Sequence, residues 1–222
     1  MNDSPIDLIW NCDTAAVVSK PAGLSTQAPA PHASLETVLR AQFAGRSSYL
    51  AFPHRLDRPV SGLILVAFTK KAARLLGEQF EARRVSKTYL ALVQGIVDND
   101  QQQWSDYLRK VDDEARVEVD LSNEPADAAS SKLAELKMTV VERYDTRSLL
   151  ELQPSTGRMH QLRVQAASRG HTIIGDALYG SDQIVPGGDG ETIALHAWKL
   201  EFNDPVNGRR VLVESPPPAW RT

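Results

Sequence analysis

His54-Arg55-Leu56-Asp57-Arg58-Pro59-Val60-Ser61-Gly62-Leu63-Ile64-Leu65 sets one carboxylate between two arginines, directly ahead of an apolar run that continues through Val66, Ala67 and Phe68. The run has strand length and no polar alternation, so it predicts a strand buried on both faces. An Asp in such a loop commonly caps a turn or pairs with a neighbour. Here the flanking arginines favour its ionised form and hold it in place.

Working outward, Thr69 is placed to cap a helix in which Ala72, Ala73, Leu75, Leu76 and Phe80 recur at helical spacing, leaving Lys70, Lys71, Arg74 and Arg84 outside. On the N-terminal side, residues 14–19 read as a strand closed by the turn Pro21-Ala22-Gly23. Downstream, residues 88–97 predict a strand. Met138 to Tyr144 and Ser148 to Gln153 predict two more, paired across Asp145-Thr146-Arg147, after which Thr156 is expected to cap a helix ending near Gly170. Residues 98–131 are polar, with Pro125 and small residues from Ala126 to Ser131, and read as loops or a weak hairpin. Gly187-Gly188-Asp189-Gly190 reads as a mobile loop, and Pro216-Pro217-Pro218 as the end of the fold. Alternating strands with few helices predict an α+β fold with a mixed, largely antiparallel sheet and flanking helices.

With 222 residues, 42% of them hydrophobic, the chain is long enough for one sizeable core or two closely joined lobes. No internal repeat is visible. No apolar run approaches the roughly 18 residues of a membrane span, and Met1-Asn2-Asp3-Ser4-Pro5 lacks the basic start and apolar core of a secretory signal. A cytoplasmic protein is expected. Cys12 is the sole cysteine, which excludes an intrachain disulfide and a cysteine zinc cluster, and His32, His54, His171 and His196 lack metal-ligand spacing. No metal is expected. The net charge of −3 does not advertise a nucleic-acid partner, but it is unevenly spread. Residues 54–90 carry eight Lys or Arg against three acidic residues, net +5, whereas residues 91–135 carry eleven acids against four basic residues, net −7. Phosphate attraction survives if the first stretch faces the partner.

The segment around Asp57 closely resembles the signature of the RluA family of RNA pseudouridine synthases, in which an Asp after His-Arg-Leu attacks the target uridine. Further blocks follow in the family's order. Lys20-Pro21-Ala22-Gly23-Leu24 lies near the start. Lys87-Thr88-Tyr89-Leu90-Ala91-Leu92-Val93-Gln94-Gly95 resembles the tyrosine strand, and Thr156-Gly157-Arg158-Met159-His160-Gln161-Leu162-Arg163-Val164 the arginine motif. Gly175-Asp176-Ala177-Leu178-Tyr179-Gly180 and Leu195-His196-Ala197 complete the set. One departure is Val60, where many relatives have Thr.

The resemblance implies a single catalytic domain over residues 1–222, without the separate small N-terminal RNA-binding domain many relatives carry, and with a central cleft crossing the sheet. It implies isomerisation of uridine in structured RNA, ribosomal ahead of transfer RNA, with no metal or redox cofactor. Asp57 is then the nucleophile, adding at C1′ or initiating a glycal route. Arg163, costly to bury unpaired, is read as its counter-charge, and His160 as structural. Tyr89 stacks on uracil or reaches the C5 proton; from spacing alone its ordinary reading is a core aromatic. By the same analogy Arg55 fills the space of a flipped base. Arg58, Lys20 and Lys87 are candidate phosphate contacts, joined on charge by Lys70, Lys71 and Arg74. A monomer is expected. A non-catalytic RNA-binding or ribosome-assembly factor that has kept the fold is the alternative, distinguished by binding RNA without forming pseudouridine. A nucleoside hydrolase would release free base, and no second motif carboxylate is present to activate water.

Overall fold

The computed structural model describes residues 5–29, 31–120, 131–188, 190–216 and 218–221. In chain order the elements are β1 (Leu8–Cys12), β2 (Ala15–Lys20), α1 (Leu35–Gln42), β3 (Ser61–Ala67), α2 (Lys70–Glu81), β4 (Ser86–Gln94), β5 (Gln101–Lys110) and β6 (Val117–Val119). They continue with β7 (Ser131–Arg143), β8 (Arg147–Pro154), α3 (Gln161–Ala167), a 3-10 turn at Ala177–Tyr179, β9 (Leu195–Asn203), β10 (Arg210–Glu214) and a 3-10 turn at Ala219–Arg221. The fold is α+β: β3 and β9 pair in parallel, while β1 with β2, β2 with β3, β9 with β10, β4 with β8, β5 with β6, β5 with β7 and β7 with β8 pair antiparallel. Two compact units emerge, Met1–Lys87 with His196–Pro217, and Thr88–Leu195 with Pro218–Thr222.

In the first unit β1, β2 and β3 form an antiparallel meander. β3 then runs parallel to the start of β9 at Ser61↔His196 and Gly62↔Ala197, and β9 turns back into β10. β3 is buried along its length after Ser61, as its unbroken apolar sequence predicts. Thr69 caps α2 by accepting a hydrogen bond from the Ala72 amide at 3.1 Å. Ala72 and Leu76 pack with Leu63, Leu65, Phe202 and Val213 in a core that half-buried Trp10 and Phe80 extend. Lys70, Lys71, Arg74 and Arg84 are exposed, as their helical phase requires. α1 was not anticipated from the sequence. It is fixed by a capping box between Ser34 and Thr37 and by buried Leu35 and Leu39.

In the second unit, β8 lies between β4 and β7, while β5 pairs with β7 on one side and β6 on the other. Two sequence expectations need correction here. Residues 98–131 contain a full strand, β5, in register with β7 over nine residues from Gln101↔Thr139 to Arg109↔Ser131, so β7 begins at Ser131 rather than Met138. The short β6 does form a weak hairpin with β5. Thr156 does not cap the following helix. Its hydroxyl donates to Gln161 Oε1 at 2.8 Å and accepts from the Glu135 amide at 2.9 Å, while the cap position belongs to His160, in a left-handed conformation at φ 49°. α3 ends at Ala167 and the chain turns away through Gly170. β4 ends at Gln94, short of the expected Val97, because Gly95 takes φ 77° and leaves the strand. Pro125, the Ala126–Ser130 part of the small-residue stretch, Asp189 of the glycine loop and Pro217 lie outside the described residues.

Candidate active site

The Asp57 loop is tied to its own unit at every step. His54 Nε2 accepts the Leu65 amide of β3 at 2.9 Å, and its ring stacks on Phe80 with centroids 4.8 Å apart. Burial, assisted by the charge of Lys87, pushes His54 down to about 3. The ring is therefore neutral near pH 7, and since Nε2 accepts, Nδ1 carries the proton. Two residues on, the Thr26 hydroxyl donates to the Leu56 carbonyl at 2.9 Å and accepts the Leu56 amide at 3.2 Å. The Val60 amide then returns to the Asp57 carbonyl at 3.1 Å, closing a turn. Asp57 is half-buried at its start, between exposed Arg55 and Arg58.

The Lys20-Pro21-Ala22-Gly23-Leu24 block lies against this turn. The Gly23 amide donates to the Arg58 carbonyl and Arg58 Nε donates to the Gly23 carbonyl, both at 2.9 Å. Lys20 is completely buried, and its Nζ donates to the carbonyls of Leu24 at 2.7 Å, Pro21 at 2.9 Å and Arg58 at 3.2 Å. Burial pushes its ammonium down to about 7, and the Asp57 carboxylate draws it back up. Lys20 therefore does not present its charge to solvent, and its assignment as a phosphate contact is corrected.

Ser61 and Gly62 join this loop to β9. Ser215 Oγ donates to the Pro216 carbonyl at 3.2 Å, so it accepts from His196 Nε2 at 2.9 Å, and His196 Nδ1 is left to accept the Ser61 hydroxyl at 2.8 Å. Burial holds His196 at about 4, consistent with a neutral ring in this chain. Gly62 has φ 111°, and a Cβ there would sit 2.3 Å from the Ala197 carbonyl oxygen. Only glycine permits that approach. The Ser-Gly and Leu-His-Ala blocks thus face each other across the parallel pair.

In the second unit, Arg163 forms a two-bond fork with Asp176, Nε to Oδ2 at 2.6 Å and Nη2 to Oδ1 at 2.7 Å, with side chains 6% and 1% exposed. Asp176 is thereby a partner that the sequence reading did not name, although it quoted the block containing it. The signal was available, since a buried guanidinium calls for a fixed carboxylate. Just before Asp176, Gly175 takes φ 88° and runs against the Thr192 backbone, where an added Cβ would sit 2.4 Å from the carbonyl oxygen. The Tyr179 ring lies over the Arg163 guanidinium at 5.1 Å, and its hydroxyl accepts the Val117 amide at 3.1 Å and meets His160 Nδ1 at 3.0 Å. The arginine is fixed in place and orientation by these contacts.

Among the remaining sequence candidates, Tyr89 is half-buried on β4, opposite Leu152 of β8. Lys87 is half-buried, with burial lowering its ammonium. Lys70, Lys71 and Arg74 lie on the exposed side of α2, where Arg74 pairs with Glu78. The first unit thus brings Asp57, Arg58 and Lys20 together, whereas Tyr89 and Arg163 belong to the second. His54 and Thr26, which fix the loop, were not assigned that role from sequence. Among the described residues, no group of three His, Cys, Asp or Glu side chains is placed to hold a metal ion, and no helix is long and apolar enough to cross a membrane.

The sequence pattern of the RNA pseudouridylate synthases matches residues 14–168. The chain is 37% identical over 172 residues to a tRNA pseudouridine synthase C of Pectobacterium carotovorum subsp. carotovorum, covering 73% of this chain and 46% of the relative. It is 32% identical over 234 aligned residues to a ribosomal large subunit pseudouridine synthase D of Neisseria meningitidis serogroup B, covering 96% of this chain and 58% of the relative. The chain thus spans about half the length of these curated relatives. Among solved structures it is similar to human RNA pseudouridylate synthase domain containing 1, with a TM-score of 0.80 and 28% identity over 98% of this chain and 86% of that one. Human RNA pseudouridylate synthase domain containing 4 shares the fold, with a TM-score of 0.79 at 20% identity over 96% and 89% of the two chains.

Proposed function

The chain belongs to the RNA pseudouridylate synthase family, in its RluA branch, and from that premise we propose that it isomerises uridine to pseudouridine in structured RNA, ribosomal ahead of transfer RNA, with Asp57 as nucleophile. The observation that carries this reading is the fixed Asp57 turn, stapled through His54, Thr26 and Lys20, whose buried Nζ donates to the carbonyl of Arg58, the residue after Asp57. The names of the relatives supply the substrate class, since one acts on tRNA and another on the ribosomal large subunit.

The reaction breaks the bond from C1′ to N1, turns the uracil, and forms a bond from C1′ to C5. C5 loses a proton and N1 gains one, so atoms and electrons balance without an oxidant or reductant. Asp57 adds at C1′ or opens a glycal route; either use requires a carboxylate held against diffusion of the sugar. Tyr89 stacks on the base and takes part in the proton transfer at C5. Arg163, oriented by Asp176, contributes fixed positive charge. Arg55 takes the place of the flipped base, and Arg58, Lys87, Lys70, Lys71 and Arg74 meet phosphates. The protein acts as a cytoplasmic monomer, with residues 1–222 carrying the catalytic domain.

The test is to map pseudouridine in ribosomal and transfer RNA from cells with and without the gene. One or more sites should vanish on deletion and return with the intact gene. An unchanged map, with RNA still bound by the purified chain, would favour the non-catalytic factor.

A further inference from the structure

Trp104, Asp106 and Leu108 alternate along β5 on one face of the sheet, and Trp104 and Leu108 are buried there. A carboxylate set between two buried apolar residues is costly unless donors hold it. Here the donors come from α3 and the turn that follows it. Gln165 is completely buried, and its Nε2 donates to Asp106 Oδ2 at 2.6 Å and to the carbonyl of Ala134, the residue opposite Asp106 on β7, at 3.3 Å. Arg169 closes on both carboxylate oxygens, Nη1 to Oδ2 at 2.9 Å and Nη2 to Oδ1 at 3.1 Å, with its guanidinium 4.7 Å over the Trp104 ring. One turn before Gln165, buried Gln161 donates to the Glu135 carbonyl of β7 at 3.0 Å. Gln161, Gln165 and Arg169 thus follow one another at four-residue spacing down one side of the helix, and that side is a polar stripe laid on β5 and β7.

We propose that Asp106 and Gln165 are positioning residues for Arg163, their hydrogen bonds fixing the register and rotation of α3 on the sheet and so the point from which the arginine reaches Asp176. This rests on the reading of Arg163 as the fixed positive charge of the reaction. Burial alone does not explain the stripe. Gln165 Oε1 is buried with no hydrogen-bond partner among the described residues, a penalty that a methionine of similar size avoids. What the amide adds is direction: apolar contacts tolerate sliding and rotation, whereas Gln165 meets Asp106 and Ala134 together in one setting of the helix. α3 needs such a device, because at seven residues it is too short to hold itself, and its cap residue His160 makes no side-chain cap bond. Arg163 stands two residues before Gln165, about 200° round the helix, so pressing the stripe onto β5 and β7 sends Arg163 out on the opposite side. The Asp176 fork sets where the guanidinium ends. The stripe sets where its backbone begins.

The experiment measures single-turnover rate, RNA affinity and thermal unfolding, on an RNA that the parent modifies, for Gln165→Met, Asp106→Asn, Arg163→Met and each of the first two combined with Arg163→Met. Gln165→Met should lower the rate by about ten- to a hundredfold, the scale of a misplaced group, with RNA affinity within about threefold and the unfolding temperature within a few degrees of the parent. Asp106→Asn should slow the reaction similarly, at a lower unfolding temperature; should it fail to fold, Gln165→Met carries the test. In the Arg163→Met background the same substitutions should have little further effect on rate, because a shifted helix then has no guanidinium to misplace. If Arg163→Met itself does not fold, Arg163→Lys provides the background, with the same non-additivity required. Parent-like rates in the folded Gln165→Met and Asp106→Asn proteins, or losses that simply add to that of Arg163→Met, would overturn the proposal and leave the stripe a packing device. Parent-like turnover by folded Arg163→Met is the distinct result that would bring down the reading of Arg163, and the proposal with it.

Discussion

Replacing Asp176 by Asn tests the buried fork that fixes Arg163. The substitution conserves shape but removes the charge and turns one acceptor into a donor facing a guanidinium. Both side chains are almost fully buried, and the two bonds are short, at 2.6 and 2.7 Å. Breaking a buried pair by removing one partner costs about 3–5 kcal/mol, because the remaining charge is left desolvated. For a chain of this size each kcal/mol lowers the unfolding temperature by about 2–4 °C, so a drop of roughly 6–20 °C is expected. The exposed pair Arg74 and Glu78, with side chains 63% and 46% exposed, provides the control. Its removal through Glu78→Gln should cost less than about 1 kcal/mol. The assay is urea and thermal unfolding of Asp176→Asn, Arg163→Met and the double variant. The double variant should lose clearly less than the sum of the singles, since removing both charges leaves neither stranded. A loss under about 1 kcal/mol for Asp176→Asn, or strict additivity, would refute the reasoning.

Three further outcomes follow from particular geometries. Gly62→Ala should destabilise by at least about 3 kcal/mol, from a φ of 111° and a Cβ placed 2.3 Å from the Ala197 carbonyl, whereas Gly77→Ala, in open space on α2, should stabilise by about 0.5–1 kcal/mol; chemical denaturation of both decides it. His54 is held near 3 when folded against 6.5 in its ordinary state, so the unfolded chain binds the extra proton in that window and stability, complete above 6.5, is lost as pH falls toward 3. His54→Gln should make stability fall less steeply between pH 6 and 4, by up to about 1.4 kcal/mol per pH unit, and an unchanged slope in urea unfolding would contradict the neutral ring. Replacing Lys70, Lys71 and Arg74 together by Gln should flatten the dependence of log RNA affinity on log salt, measured by titration, and an unchanged slope would place the phosphate contacts elsewhere.

What could be read from the sequence was what local signals determine. β3 declared itself through an unbroken apolar run, and α2 through Thr69 and its apolar spacing, because cap and stripe are fixed within a few residues. β5 was missed because its exposed positions are Gln101, Gln103, Ser105, Tyr107, Arg109 and Lys110 and, within it, only Trp104 and Leu108 are buried; its stability comes from β7, about thirty residues away. Thr156 has the residue type of a cap, but spends its hydroxyl on Gln161 and the Glu135 backbone. In the second unit the arginine motif and the Gly-Asp block were both visible in the sequence, but not that Arg163 and Asp176 pair. Lys20 reads in the sequence as a candidate phosphate contact, and only the fold shows carbonyls from Leu24 and Arg58 closing over it.

Single-turnover isomerisation by Asp57→Asn, measured beside the parent on an RNA that the parent modifies, tests the central claim most directly. The amide preserves size and hydrogen-bonding shape, so unfolding temperature should be little changed and RNA affinity should stay within a few-fold, while pseudouridine formation falls to background. Substantial turnover by the folded Asn variant would contradict the assignment of Asp57 as nucleophile.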